Sequence, residues 1–128
     1  MQNPLLSLLF LSCFAFSVSH ASTGDEAVAK HREGKFEEAE QIAKQACENN
    51  DAKGCFYLGF KLQQESKPEE SNKYYEKACG LNFAVGCLSL ANNYRQGLGV
   101  NRDPEVSIRF YQRACDLGET LACSHLRK

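Results

Sequence analysis

The chain has 128 residues, 15 Lys+Arg against 16 Asp+Glu, and a hydrophobic content of 43%. That length suits one folded domain, and the hydrophobic fraction sets the chain apart from disordered, highly charged sequences. A formal charge of −1 leaves no basic excess to draw nucleic acid or anionic lipid by bulk attraction, so no nucleic-acid partner is expected.

The N-terminal segment comes first. Pro4 to Val18 carries Leu5, Leu6, Leu8, Leu9, Phe10, Leu11, Phe14 and Phe16 without a charge. Ser19-His20-Ala21 then places small residues at the two positions that a signal peptidase reads. Residues 1–21 therefore read as a signal peptide cut after Ala21, although Met1-Gln2-Asn3 supplies no Lys or Arg. The apolar run is shorter than the ~20 residues of a spanning helix, so no stable membrane span is expected. Lipidation of Cys13 fits poorly, because Phe10 stands where an aliphatic residue belongs. A periodic pattern follows in residues 22–128, which are expected to lie in the periplasm or to be secreted.

The helical elements are expected at 25–33, 35–48, 52–65, 69–80, 84–96 and 104–117, with a short one from 120. They alternate between two types. B helices precede the first cysteine of a pair: Ala39, Ile42, Ala43 and Ala46 lie at i, i+3, i+4 and i+7, and Ser71, Tyr74, Tyr75 and Ala78 repeat the stripe. Glu37, Glu40 and Lys44 read as the solvated side. A helices follow the second cysteine, with Leu58, Gly59 and Leu62 matching Leu90, Ala91 and Tyr94. Gly54, Gly86 and Ala122 stand just before that cysteine, where a small residue lets two helices approach. Asp103-Pro104 and Lys67-Pro68 mark helix starts. Gly97-Leu98-Gly99-Val100 is a loop that the shorter repeat lacks. The units are a partial one at 25–50, repeats at 52–82 and 84–118, and a terminal cap at 120–128. The expected class is all-α: an α/α superhelical solenoid of helix-turn-helix repeats.

Cysteine spacing is the strongest signal. Cys47 and Cys55, Cys79 and Cys87, and Cys115 and Cys123 are each eight residues apart. Of the 7 cysteines, six remain once Cys13 leaves with the signal. An even number in a small exported domain favours disulfides. Zinc sites favour Cys-x-x-Cys pairs, which these are not, so no metal is expected. Six cysteines allow 15 connectivities. If the units are equivalent, each bonds locally, giving one disulfide per repeat. Closing each ring stabilises the fold by roughly 2–3 kcal/mol in the loop-entropy treatment.

Gly86-Cys87-Leu88, Gly97-Leu98-Gly99-Val100, Asp103 and Phe110-Tyr111-Gln112-Arg113-Ala114-Cys115-Asp116-Leu117-Gly118 resemble the SEL-one-like repeat family, a relative of tetratricopeptide repeats. Tyr74-Tyr75-Glu76-Lys77-Ala78-Cys79 and Gly54-Cys55 fit the same pattern, and Glu33-Gly34-Lys35-Phe36-Glu37-Glu38-Ala39 resembles the tetratricopeptide turn. With these cysteines the chain resembles the exported cysteine-rich Hcp-type branch. That resemblance implies an α/α superhelix with one disulfide per repeat and a scaffolding role. It also implies an alternative, weak binding or slow hydrolysis of β-lactams. A cell-wall peptide is a further candidate partner class for the chain. The chain departs from the pattern at Asn49 and Asn50, where Leu81 and Leu117 predict an apolar residue.

A serine β-lactamase needs Ser-x-x-Lys, and the chain has none. Ser71 has Lys73 two residues on, and Ser124 has Arg127, which stays protonated. No catalytic residue and no cofactor is expected. His31 reads as a surface histidine. Alignment on the cysteines stacks Tyr57 with Ser89 and His125, Phe60 with Asn92, and Lys61 with Asn93. In a stacked repeat these seven A-helix positions would line one concave strip, suited to an extended peptide. The leading reading is an exported, non-enzymatic module binding a protein or peptide there; a structural envelope protein is a further alternative.

Overall fold

The computed structural model describes residues 22–127; the expected signal peptide and Cys13 lie outside these residues. Within them the chain forms seven helices and no strand: α1 Gly24–Arg32, α2 Phe36–Glu48, α3 Ala52–Gln64, α4 Pro68–Gly80, α5 Ala84–Gln96, α6 Pro104–Asp116 and α7 Thr120–His125. Each helix packs on the next, and α1 also packs on α3. The result is a solenoid of helical hairpins, with α1, α3, α5 and α7 of the A type and α2, α4 and α6 of the B type.

Local chemistry sets the helix ends. Thr23 accepts from the Glu26 N–H, Asp51 from Lys53 and Gly54, and Asp103 from Glu105 and Val106, as N-caps do. Pro68 and Pro104 open α4 and α6 where the missing N–H costs nothing. The B helices stop at one recurring position. Asn50, Asn82 and Gly118 there have φ of 63, 66 and 101°. Asn50 is thus no interruption of an apolar pattern, as the alignment had suggested. It holds the left-handed turn, which Asn and Gly tolerate best.

At each junction the two helices that flank this turn are bonded. Disulfides join Cys47–Cys55, Cys79–Cys87 and Cys115–Cys123, with Cα–Cα distances of 4.6, 4.6 and 4.7 Å. A β-carbon at Gly54 would lie 2.7 Å from the Ala46 Cβ, and one at Gly86 would lie 3.0 Å from the Ala78 Cβ. The small residue before the second cysteine is therefore what permits close helix contact.

Between one hairpin and the next, a second set of equivalent bonds repeats. The Ser71 hydroxyl donates to the Gly59 carbonyl at 2.6 Å, and the Ser107 hydroxyl to the Ala91 carbonyl at 2.7 Å. Both serines are buried. Tyr75 and Tyr111 fill the core one turn further along α4 and α6. Glu40 departs from the solvated role its position predicted. It is half-buried and binds Lys61 of α3 and, at 2.9 Å, Lys44.

The long loop after α5 is also held. The Asn93 amide donates to the Asn72 side-chain carbonyl at 2.6 Å, and the Asn72 amide donates to the Leu98 carbonyl at 2.8 Å. Both asparagines are buried, so each bond prevents an unpaired polar group.

Candidate functional site

The N-terminal end of the A-helix layer is built by anchoring α1 on α3. The Gly24 N–H donates to the Asp51 carboxylate at 2.9 Å, so the residue that caps α3 also fixes the start of α1. A β-carbon on Gly24 would lie 2.5 Å from the Gly54 nitrogen, so only glycine lets these two backbones meet. The helices leave an open seam further along, and aromatic side chains fill its walls.

Tyr57 and Phe60 of α3 stand at the middle of this seam. The Tyr57 hydroxyl lies 2.9 Å from His31 Nδ1, and burial pushes its pKa above the ordinary tyrosine value. The His31 ring packs edge-on against Phe36 at 4.9 Å and Tyr57 at 5.6 Å between centroids. Phe60 stacks on Phe56 at 6.4 Å and remains 46% exposed. It forms a ridge with a cleft on either side.

One cleft, about 220 Å³, has Val28, Phe56, Tyr57 and Phe60 as its apolar walls, with His31, Arg32 and Lys53 at its edge. The other, about 250 Å³, is lined by Phe36, His31, Tyr57 and Phe60 and reaches Lys61, Gln64 and Glu65. Lys61 is held by Glu40 and, at 2.9 Å, by Glu65. The Glu40 contact first, and then the Glu65 contact, raise the Lys61 pKa, while bonds from Lys61 lower those of both carboxyls. The charge of Lys61 is thereby balanced inside the fold.

Of the seven strip residues, Tyr57, Phe60 and Lys61 thus meet at these clefts. Asn92 and His125 meet elsewhere, at Tyr111. The Tyr111 hydroxyl donates to Asn92 Oδ1 at 2.6 Å, and the His125 ring stacks on the Tyr111 ring at 4.4 Å. Ser89 donates to the Val85 carbonyl of its own helix at 2.9 Å. Asn93 is buried in the amide chain to Asn72.

Val28, His31, Arg32, Phe36 and Phe56 are site residues that the cysteine alignment did not single out. Two signals for all of these but Phe36 were present. Val28, His31 and Arg32 lie at i, i+3 and i+4 on α1, and Lys53, Phe56, Tyr57 and Phe60 form an i, i+3, i+4, i+7 stripe on α3. Comparing equivalent positions between repeats obscured an aromatic stripe that α3 carries and α5, with Val85, Leu88, Ser89 and Asn92, does not.

The arrangement suits recognition of an apolar side chain with flanking polar contacts. The Ser71, Ser89, Ser107 and Ser124 hydroxyls each donate to a backbone carbonyl. No hydrogen bond among the described residues joins a serine to a lysine. No cluster of three His, Cys, Asp or Glu groups able to hold a metal occurs among the described residues.

Comparison with known proteins adds a family and a fold. The Sel1 repeat profile matches residues 52–83 and 84–119, together more than half of the chain. The structure is similar to Helicobacter pylori cysteine-rich protein B, with 30% identity and a TM-score of 0.70 over 77% of this chain and 78% of that one. A Sel1 repeat protein from Oxalobacter formigenes is similar in fold, at 24% identity and a TM-score of 0.71 over 86% of this chain and 50% of the other. A protective antigen of uropathogenic Escherichia coli displaying an SLR fold shares 23% identity and a TM-score of 0.66, over 80% of this chain and 23% of its own. No curated protein sequence matches.

Proposed function

The chain belongs to the Sel1 repeat family, and from that premise we propose that it is an exported interaction module that binds a segment of another protein on its A-helix face. Sel1 repeats generally mediate protein–protein interaction. Three disulfides suit an oxidising compartment outside the cytosol, with residues 1–21 acting as the signal peptide. The reading rests on one observation: Phe60, 46% exposed, rises between two clefts that share the His31 and Tyr57 rings, with Phe56 in one and Phe36 in the other. A large aromatic group held open in this way is typical of a binding anchor. The disulfides keep the face preorganised, which lowers the entropy lost on binding.

Phe60 is also the useful probe, because Tyr57 and Asn93 are buried and their replacement would disturb the fold. Oxidised protein is immobilised and exposed to periplasmic extract, alongside Phe60→Asp and Ile108→Asp variants. Ile108 is 56% exposed on α6, far along the chain from the clefts. A partner retained by the wild type and Ile108→Asp, and lost with Phe60→Asp, is the expected result. Equal retention by Phe60→Asp overturns the assignment.

A further inference from the structure

The cleft between α1 and α3 has a charge pattern that narrows its partner. His31, Arg32 and Lys53 are its basic lining groups, Tyr57 adds a hydroxyl, and no carboxylate lines it. The chain as a whole carries −1, so this pattern is not a consequence of bulk composition. Glu33 faces Lys30 and Lys35, and Glu38 faces Lys30. Asp25 pairs with Lys53 of the cleft itself, so Lys53 is already matched and Arg32 is the cation left to a ligand. Arg32 has no ion-pair partner among the described residues.

We propose that this cleft selects an acidic, apolar peptide segment. An aliphatic or aromatic side chain seats against Val28, Phe56 and Phe60, and an Asp or Glu a few residues away meets the Arg32 guanidinium. The inference rests on the interaction reading above and gives it a ligand class. A cleft of about 220 Å³ with apolar walls takes one large side chain. Guanidinium groups pair with carboxylates in a bidentate geometry, which fixes direction as well as charge. The second cleft continues past Phe60, sharing His31, Tyr57 and Phe60 with the first. A bound chain has room to run past Phe60 from one cleft to the other, and the proposal assigns the carboxylate to an internal side chain. The acid lies at the Arg32 end, because Lys61 at the other end is already matched by Glu40 and Glu65.

The test uses the oxidised full domain and a random library of short peptides displayed with both ends blocked. Enriched sequences are resynthesised with acetyl and amide ends, and their affinities are read by fluorescence anisotropy. The expected peptides carry Asp or Glu within a few residues of Leu, Ile or Phe. Arg32→Glu should weaken them roughly fivefold or more, the upper range for an exposed ion pair. Exchanging the peptide acid for Lys should restore binding to Arg32→Glu. Arg32→Gln, a milder change, should fall between the two, with the thermal midpoint of each variant showing that the fold persists. Neutral peptides that need Phe60 and ignore both Arg32 variants would overturn the acidic ligand class and leave the interaction reading standing. Peptides that bind only with a free C-terminal carboxylate would also overturn it. No enrichment, or binding indifferent to Phe60→Ala, would remove both.

Discussion

Replacing Gly99 with alanine isolates the contribution of the long loop. Gly99 has φ of 69°, and a β-carbon there would lie 2.5 Å from the Pro68 carbonyl carbon and 2.7 Å from the Glu69 nitrogen. Those atoms are backbone at the start of α4, so they cannot swing aside as a side-chain tip would. Gly34 provides the control: its φ is 80°, and nothing lies within 4 Å of its added β-carbon. Both substitutions incur the left-handed penalty of about 1–2 kcal/mol. Both recover about 0.4–1 kcal/mol through a less flexible unfolded chain. Only Gly99→Ala adds overpacking, about 1–3 kcal/mol. The difference between the variants should therefore be about 1–3 kcal/mol, and nearer the upper value because backbone resists displacement. Urea unfolding of the oxidised proteins measures it. With a slope near ~1.5 kcal/mol/M, Gly99→Ala should unfold at least ~0.7 M earlier than Gly34→Ala. Coincident midpoints with equal slopes would show that the loop does not rest on α4.

Removing the buried Cys79–Cys87 bridge by a double change to alanine should cost about 2–4 kcal/mol in urea unfolding. An unchanged midpoint would mean that the hairpin is held by packing alone. Stability should also decline in acid. Glu40 and Glu65 have lowered pKa values, the former through bonds from Lys61 and then Lys44, the latter through Lys61. Their stabilisation is therefore complete above the unfolded carboxylate range and is lost as pH falls through the lower folded values. Thermal midpoints should drop below about pH 4.5, and Glu40→Gln should flatten that drop; an identical profile in the variant would refute the role of this cluster.

Much of the fold is legible in the chain because its causes are local. One inter-helix turn separates each cysteine from its partner eight residues on, so the repeated spacing, once the units are taken as equivalent, points to the hairpin and its bridge. Helical stripes, Asp and Thr caps and N1 prolines likewise act within a few residues. The repeated Ser71 and Ser107 bonds were visible only as a small polar residue at equivalent positions. Asn50 was misleading, because its value lies in backbone conformation and not in side-chain polarity. Glu40 looked solvated until the neighbouring helix supplied Lys61.

What the sequence by itself determined is the periodic part: all-helical hairpins, their boundaries, their sulfur bridges and the oxidising compartment those bridges suit. Tertiary structure decided where an uneven surface arises within that regular stack. The clefts depend on α1 meeting α3 at Gly24 and Gly54, and on His31 meeting Tyr57 from 26 residues away. No local rule encodes that approach, since it follows from how successive hairpins settle against one another.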